Sequence, residues 1–329
     1  MCASWTWTRR APDKIPVHSL TVLSPAKINL ALEVWGRRPD GYHEITTLMQ
    51  VVDLTDTVDL ERRGAGIRLT AEGVPVPTGE DNLAVRAAAQ FFAAATPGGA
   101  RIHLTKRIPA GGGLGGGSSN AAAVLWGLNV LYGRPLPPEA LSDVAASLGS
   151  DVPFFLSPGF AWAEGRGDRI RPAGPAPQRW AVVVDPGFGV STGWAYGQLT
   201  LPLTPADCMP YMMALVARGD VPGALERAFN RLEETVLPHF PRLAELKAVL
   251  IEAGASPALL SGSGACLFGL SESRDGADRV AARVAAAGAR PIVCRTLVRN
   301  PILEAGNDGL PGPAPGRGGG AARPGLPPI

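Results

Sequence analysis

The chain has 329 residues, with 31 Lys and Arg against 29 Asp and Glu and a formal net charge of +2 at pH 7. That length excludes a peptide hormone or a disulfide-stapled miniature and predicts about two domains of ~150 residues each. The near balance of charge excludes a long cationic track for nucleic acid, so any phosphate chemistry is local.

Residues 1–17 show no hydrophobic period and no apolar core ahead of their arginines, which predicts an unpacked tail without a secretory signal. Residues 19–34 and 45–60 are strand-like, and Arg37-Arg38-Pro39-Asp40-Gly41 between them carries Pro-Asp-Gly turn chemistry. Asp81 and Asn82 cap an Ala-rich helix that reaches residue 95, and residues 101–107 alternate as a strand that Pro109 stops. Helices follow at 119–132, with a Ser-Ser cap, and at 138–149. The charge-free run 108–133 is longer than the ~20 residues that cross a bilayer. Glycines break it, however, and its continuous helix is too short to span, so no membrane segment is predicted. A Pro-rich stretch at 172–177 marks a domain boundary. Beyond it come a strand at 180–184, a mainly helical region at 208–254 and two short strands around a glycine turn at 259–270. A helix at 275–287 and a strand at 292–297 precede a Gly- and Pro-rich tail at 305–329. This grouping differs from strict β-α-β alternation and predicts an α+β class, with domains at 18–175 and 176–304. Cys2, Cys208, Cys266 and Cys294 form no C-x-x-C pair, which argues against a disulfide framework or a cysteine zinc site and fits a reducing cytoplasm.

The most informative segment is Lys106-Arg107-Ile108 followed by Pro109-Ala110-Gly111-Gly112-Gly113-Leu114-Gly115-Gly116-Gly117-Ser118-Ser119-Asn120. Six glycines in seven positions let backbone N–H groups turn toward one point, and the helix that follows adds a positive dipole. A phosphate chain fits such a cradle. The spacing contains G-x-G-x-x-G, but no strand ending in an acid follows the helix as a dinucleotide fold requires. Ser118 stands where a Walker loop needs lysine.

Residues 109–122 resemble the ATP-binding loop of the GHMP small-molecule kinases. Three further motifs share that resemblance in order and spacing: Ser24-Pro25-Ala26-Lys27-Ile28-Asn29-Leu30, Asp40-Gly41-Tyr42-His43 and Gly149-Ser150-Asp151-Val152-Pro153. Leu260-Ser261-Gly262-Ser263-Gly264-Ala265-Cys266 is similar to the family's late glycine motif. The resemblance implies a two-domain GHMP kinase fold, with an N-terminal domain like ribosomal protein S5 domain 2 and a C-terminal ferredoxin-like α/β sandwich. It also implies ATP and Mg²⁺ as cofactors. The triple-glycine form with Ser-Ser-Asn is closest to the branch that acts on a cytidine diphosphate-linked methylerythritol, so transfer of the γ-phosphate to the 2-hydroxyl of that small molecule is the implied reaction.

Phosphoryl transfer to an alcohol needs a carboxylate to orient the hydroxyl and a cation beside it. Asp151 and Lys27 are the implied pair, although an isolated strand lysine is commonly a solvated edge charge and Asp151 could simply cap a helix. Residues 109–119 and Lys106 are expected to hold ATP. Tyr42 can stack on a pyrimidine, and a neutral His43 has one donor and one acceptor for the base edge. Tyr196 aligns with an aromatic on the ring's other face, and Asn29, Gly262, Ser263 and Gly264 are further substrate candidates. No acidic cluster identifies a metal ligand, and Ser118 and Ser119 are the candidates. Two rivals stay open: a GHMP kinase for another small alcohol such as mevalonate or homoserine, and a nucleotide-binding regulator without turnover.

Overall fold

The computed structural model describes residues 18–200 and 208–306. The expected tail at 1–17, and positions 307–329 of the C-terminal one, lie outside the described residues.

Strands β1 (Ser19–Arg37) and β2 (His43–Arg63) form a long antiparallel hairpin around the expected turn, where Gly41 takes φ +87°. Asp40 closes that turn by accepting from the Tyr42 backbone N–H (3.1 Å) and the Arg38 guanidinium. Register shifts at Pro25/Ala26, Asn29/Ala31 and Val34/Gly36 bend the hairpin, as bulges do. After it come β3 (Gly66–Gly73), α1 (Leu83–Ala94), β4 (Gly99–Lys106), α2 (Gly116–Leu131), α3 (Pro138–Leu148), β5 (Phe160–Gly165) and β6 (Arg169–Pro172). Asn82 caps α1, its side chain accepting from Ala84 N–H.

The second half contributes β7 (Trp180–Asp185), α4 (Thr192–Gly197), α5 (Cys208–Ala217), α6 (Val221–Leu225), β8 (Phe229–Asn230), α7 (Glu233–His239) and α8 (Pro241–Glu252). It ends with β9 (Ala258–Leu260), β10 (Leu267–Ser271), α9 (Arg274–Ala286), β11 (Arg290–Arg295) and α10 (Pro301–Glu304).

One sheet has the order β3-β4-β2-β1-β8, with β5 paired to the first half of β2 and β6 paired to β5. The other runs β11-β7-β10-β9, which in chain order of its own strands is 4-1-3-2, the ferredoxin-like arrangement. Helices α1, α2 and α3 cover the first sheet, burying Phe91, Val124, Leu125 and Leu128 with Val58, Leu60 and Ile102. α2 is buried on nearly every side, as a core helix is. Gly127 lets it close on the sheet, since a Cβ there would lie 2.2 Å from Leu60 Cδ1. Leu243, Leu246 and Leu250 of α8 and Val280 and Val284 of α9 pack on Val182 and Val184 of β7. Ile28 and Leu30 of β1 share a third apolar cluster with Val183 and Phe268, so the two halves meet through buried side chains.

β3, β5, β6 and α4 fall in segments to which the sequence assigned no element, and three further features differ from the expectation. β8 interrupts the helical region and pairs in parallel with β1, Ala31 opposite Phe229; two residues are too few to leave a period. α2 starts at Gly116 with Gly115 as its N-cap at φ +72°, so Ser118 and Ser119 lie inside the first turn and cap nothing. Trp126 Nε1 donates to the Ala305 carbonyl (3.0 Å) and Ile302 is buried in the first core, so the chain after β11 returns to the N-terminal layer and Ala305 is packed. Among the described residues no helix is long and apolar enough to cross a membrane.

Candidate active site

The glycine loop leaves β4 and enters α2 beneath the late glycine motif. Gly113 holds φ +74° and a Cβ there would lie 1.9 Å from the Ser261 carbonyl oxygen, so only glycine fits. Ser261 Oγ donates to Gly113 O (3.0 Å), Cys266 N–H to Gly112 O (3.1 Å) and Lys27 N–H to Leu114 O (2.9 Å). The loop is thus clamped between β1 and the residue 261–266 turn. Pro109, Ala110, residues 111–117 and Ser118 line a cleft of about 440 Å³, with the N-terminal end of α2 opening into it. Val76, Pro77 and Leu83 wall the same cleft, and the sequence offered no sign of them.

Lys27 sits on β1 opposite Val51 of β2, with the glycine loop rather than solvent on its other side and 3% of its side chain exposed, so the solvated-edge reading fails. Its Nζ donates to Asn29 Oδ1 (2.6 Å); Asn29 Nδ2 donates to Thr47 Oγ1 (2.8 Å), which donates to Ala31 O (2.6 Å). This relay fixes Lys27 Nζ at 3.8 Å from Asp151 Oδ2, an ion pair longer than a direct hydrogen bond. Burial pulls the Lys27 ammonium below its ordinary range, and the Asp151 carboxylate partly opposes that shift. Asp151 itself is 38% exposed at the cleft, just after the C-cap of α3. Lys27, Asn29, Asp151, Gly262 and Ser263 all line the cleft, whereas Gly264 turns onto Leu260.

A second cavity of about 540 Å³ adjoins the first, and Asp151, Ile45, Thr192 and Tyr196 line both. Its own walls include Arg37, Tyr42, His43 and Arg166. The His43 and Tyr196 rings lie 5.1 Å apart at a 34° tilt. Burial and the Arg37 charge lower the His43 pKa, which favours the neutral ring with one donor and one acceptor. Burial, followed by the Asp151 charge, raises the Tyr196 phenol, so it stays protonated. Thr192 and Ser263 hydroxyls lie 2.9 Å apart, tying α4, which carries Tyr196, to the late glycine turn.

Lys106 lines the cleft but its ammonium is engaged below the loop. It is 5% exposed, contacts Asp56 Oδ2 and donates to Asn120 Oδ1 (2.8 Å). Asp56 also accepts from the Arg107 (2.7 Å) and Ile108 (3.0 Å) backbone N–H groups and from Asn120 Nδ2 (3.0 Å). This carboxylate, which sequence reasoning missed, fixes the start of the glycine loop. Ser119 is fully buried and accepts from Ser24 Oγ (2.7 Å), so of the two serines only Ser118 reaches the cleft. Among the described residues no group of three or more His, Cys, Asp or Glu forms a metal cluster.

Comparison with known proteins agrees with this geometry. The profile for the GHMP kinases N terminal domain matches residues 82–159, and that for the GHMP kinases C terminal matches 212–290. A Pelotomaculum thermopropionicum protein named 4-diphosphocytidyl-2-C-methyl-D-erythritol kinase is 42% identical over 288 residues, covering 86% of this chain and 99% of its own. The chain belongs to the 4-diphosphocytidyl-2-C-methyl-D-erythritol kinase family of GHMP kinases. A relative of the same name from Geobacter sulfurreducens is 42% identical, covering 80% of this chain and 94% of its own. A crystal structure of a 4-(cytidine 5'-diphospho)-2C-methyl-D-erythritol kinase superposes with a TM-score of 0.72 at 39% identity, over 84% of this chain and 98% of that one. A homoserine kinase from Cytophaga hutchinsonii reaches a TM-score of 0.71 at 20% identity over 88% of this chain and 98% of its own, and so shares the fold. Membership of this kinase family bears out the expected α+β architecture of two GHMP kinase domains.

Proposed function

We propose that the chain transfers the γ-phosphate of ATP to the 2-hydroxyl of 4-diphosphocytidyl-2-C-methyl-D-erythritol, a step of the non-mevalonate route to isoprenoid precursors. The observation that carries this reading is the meeting of two cavities at Asp151, one walled by the glycine loop and one by Tyr42, His43 and Tyr196. The loop amides and the α2 N-terminus suit a triphosphate, while Val76, Pro77 and Leu83 offer an apolar slot for a purine. The second cavity suits a pyrimidine, with Tyr42 and Tyr196 for its faces and neutral His43 for its edge.

At the junction Asp151 orients the acceptor hydroxyl and takes its proton as the O–P bond forms. Lys27 stabilises both the carboxylate and the negative charge on the transferred group. Bound with ATP, Mg²⁺ would neutralise phosphate charge, and Ser118 is the hydroxyl facing the cleft that would help to hold it. The separated cysteines fit a cytoplasmic enzyme.

The rivals differ in what they leave unused. A kinase for homoserine or mevalonate has no occupant for the second cavity, and a regulator has no use for a buried lysine held beside Asp151. An ADP-release assay separates them. Turnover with the cytidylated alcohol and none with the uncytidylated alcohol is the expected result. Equal turnover with both, or with homoserine or mevalonate, overturns the substrate reading, and no ADP from any acceptor favours the regulator.

A further inference from the structure

Tyr42 stands on the β1–β2 turn with 51% of its surface exposed, a position from which an aromatic ring would ordinarily sample several rotamers. Here it has a neighbour from another part of the chain. Arg166, on the β5–β6 turn, places its guanidinium carbon 5.4 Å from the centre of the Tyr42 ring. That guanidinium is tethered twice: Nε donates to Asp168 Oδ2 (2.6 Å) and Nη2 to the Ala146 carbonyl of α3 (2.9 Å). Both Arg166 and Tyr42 line the second cavity together with His43 and Tyr196.

We propose that Arg166 is a positioning residue that holds the Tyr42 ring as a ready-made platform for the base of the substrate. This rests on the cytidylated-substrate reading above and adds a residue that selects it. A planar guanidinium over an aromatic face gains from cation–π attraction and restricts the ring to one orientation, so less ordering remains to be done when a base stacks on it. The alternative use of an arginine in this cavity is to bind the diphosphate directly. The pairing with Asp168 argues against it, because the carboxylate already offsets the charge and occupies Nε.

The two roles separate by ligand. Calorimetric titration with cytidine and with CDP measures the platform with and without phosphate. Arg166→Ala is expected to weaken both by the same factor, about two- to fivefold from the strength of an exposed cation–π contact. The KM for the cytidylated alcohol rises by the same factor. In a Tyr42→Ala background the same substitution is expected to have no further effect on cytidine, since the ring it holds is gone. Arg166→Lys, which keeps charge without the plane, falls between wild type and Arg166→Ala. Unchanged cytidine affinity in a folded Arg166→Ala protein, a loss confined to CDP, or an equal loss that persists without Tyr42 each overturns the inference. If Arg166→Ala does not fold, Asp168→Asn loosens the tether and is expected to lower cytidine and CDP affinity together; no change there overturns it equally. Wild-type protein that binds uridine as tightly as cytidine tells against the substrate reading and removes the inference with it. Wild-type selectivity for cytidine that Arg166 does not influence tells against the inference alone.

Discussion

Two glycines of the loop between β4 and α2 share a positive φ and differ in what surrounds them, which makes them a controlled pair. Gly111 has φ +69° and a Cβ built on it meets nothing within 4 Å, whereas at Gly113, φ +74°, the Cβ lies 1.9 Å from Ser261 O and 2.9 Å from Ser261 C. Alanine at either site costs about 1–2 kcal/mol for the left-handed conformation, offset by roughly 0.5 kcal/mol of lost unfolded-chain freedom. Gly111→Ala should therefore destabilise by about 1 kcal/mol. At Gly113 the obstacle is backbone, so the residue 261–266 turn has to move. That puts at risk the Ser261 Oγ bond to Gly113 O and the Cys266 N–H bond to Gly112 O. Added to the same backbone cost, two hydrogen bonds at about 1 kcal/mol each and overpacking of about 1–3 kcal/mol bring Gly113→Ala to roughly 4–6 kcal/mol. Urea denaturation of the ligand-free proteins should separate the two variants by about 3–5 kcal/mol. Calorimetric titration with a nonhydrolysable ATP analogue should show affinity lost in Gly113→Ala, because the amide cradle is distorted. Equal destabilisation of the two variants, or an undiminished nucleotide affinity in Gly113→Ala, would refute the claim that the late glycine turn shapes the glycine loop.

Asp151→Asn should retain ATP and substrate affinity while kcat falls by about 10²–10⁴, the range for a lost general base; steady-state kinetics showing parallel loss of affinity and turnover would indicate a structural role instead. Asp56→Ala strips the acceptor from Lys106, Asn120 and the Arg107 and Ile108 amides, and should cost about 3–5 kcal/mol in urea denaturation. A loss below about 1 kcal/mol would sink the idea that this carboxylate anchors the loop. Because burial lowers the Lys27 pKa, the unfolded chain binds the proton more readily than the folded one between the lowered and the ordinary value. Stability therefore rises with pH across that window and is lost as pH falls through the folded value. Wild type should gain stability relative to Lys27→Met as pH rises toward the ordinary lysine value of about 10.4, and a difference that stays flat with pH contradicts the desolvation of this ammonium.

What the sequence determined by itself was local. Pro39-Asp40-Gly41 is a turn because its φ preferences leave few alternatives, and Asn82 caps a helix through its own side chain two residues on. The glycine run predicted a turning loop between a strand and a helix for the same reason: backbone freedom and an exposed helix start are properties of adjacent residues. The positions of Lys27, Asp151, Tyr42 and His43 were legible through motif spacing, and the fold brings them to two adjoining cavities. Tertiary structure alone decided that Lys27 is interior, because that depends on the glycine loop at Leu114 and Gly115 and the turn at Gly262 closing over it from distant parts of the chain. It also decided that Lys106 serves Asp56, although the cleft lies beside it, and that Ser119 packs on Ser24. Asp56 and Ile108 are 52 positions apart, and Asp56 carries no mark of its role until two strands bring it under the loop. Turn and helix propensities act over a few residues, while the partner of a buried charge is set by chain segments that meet only when the apolar core closes; that is why the loop could be foreseen and the network supporting it could not.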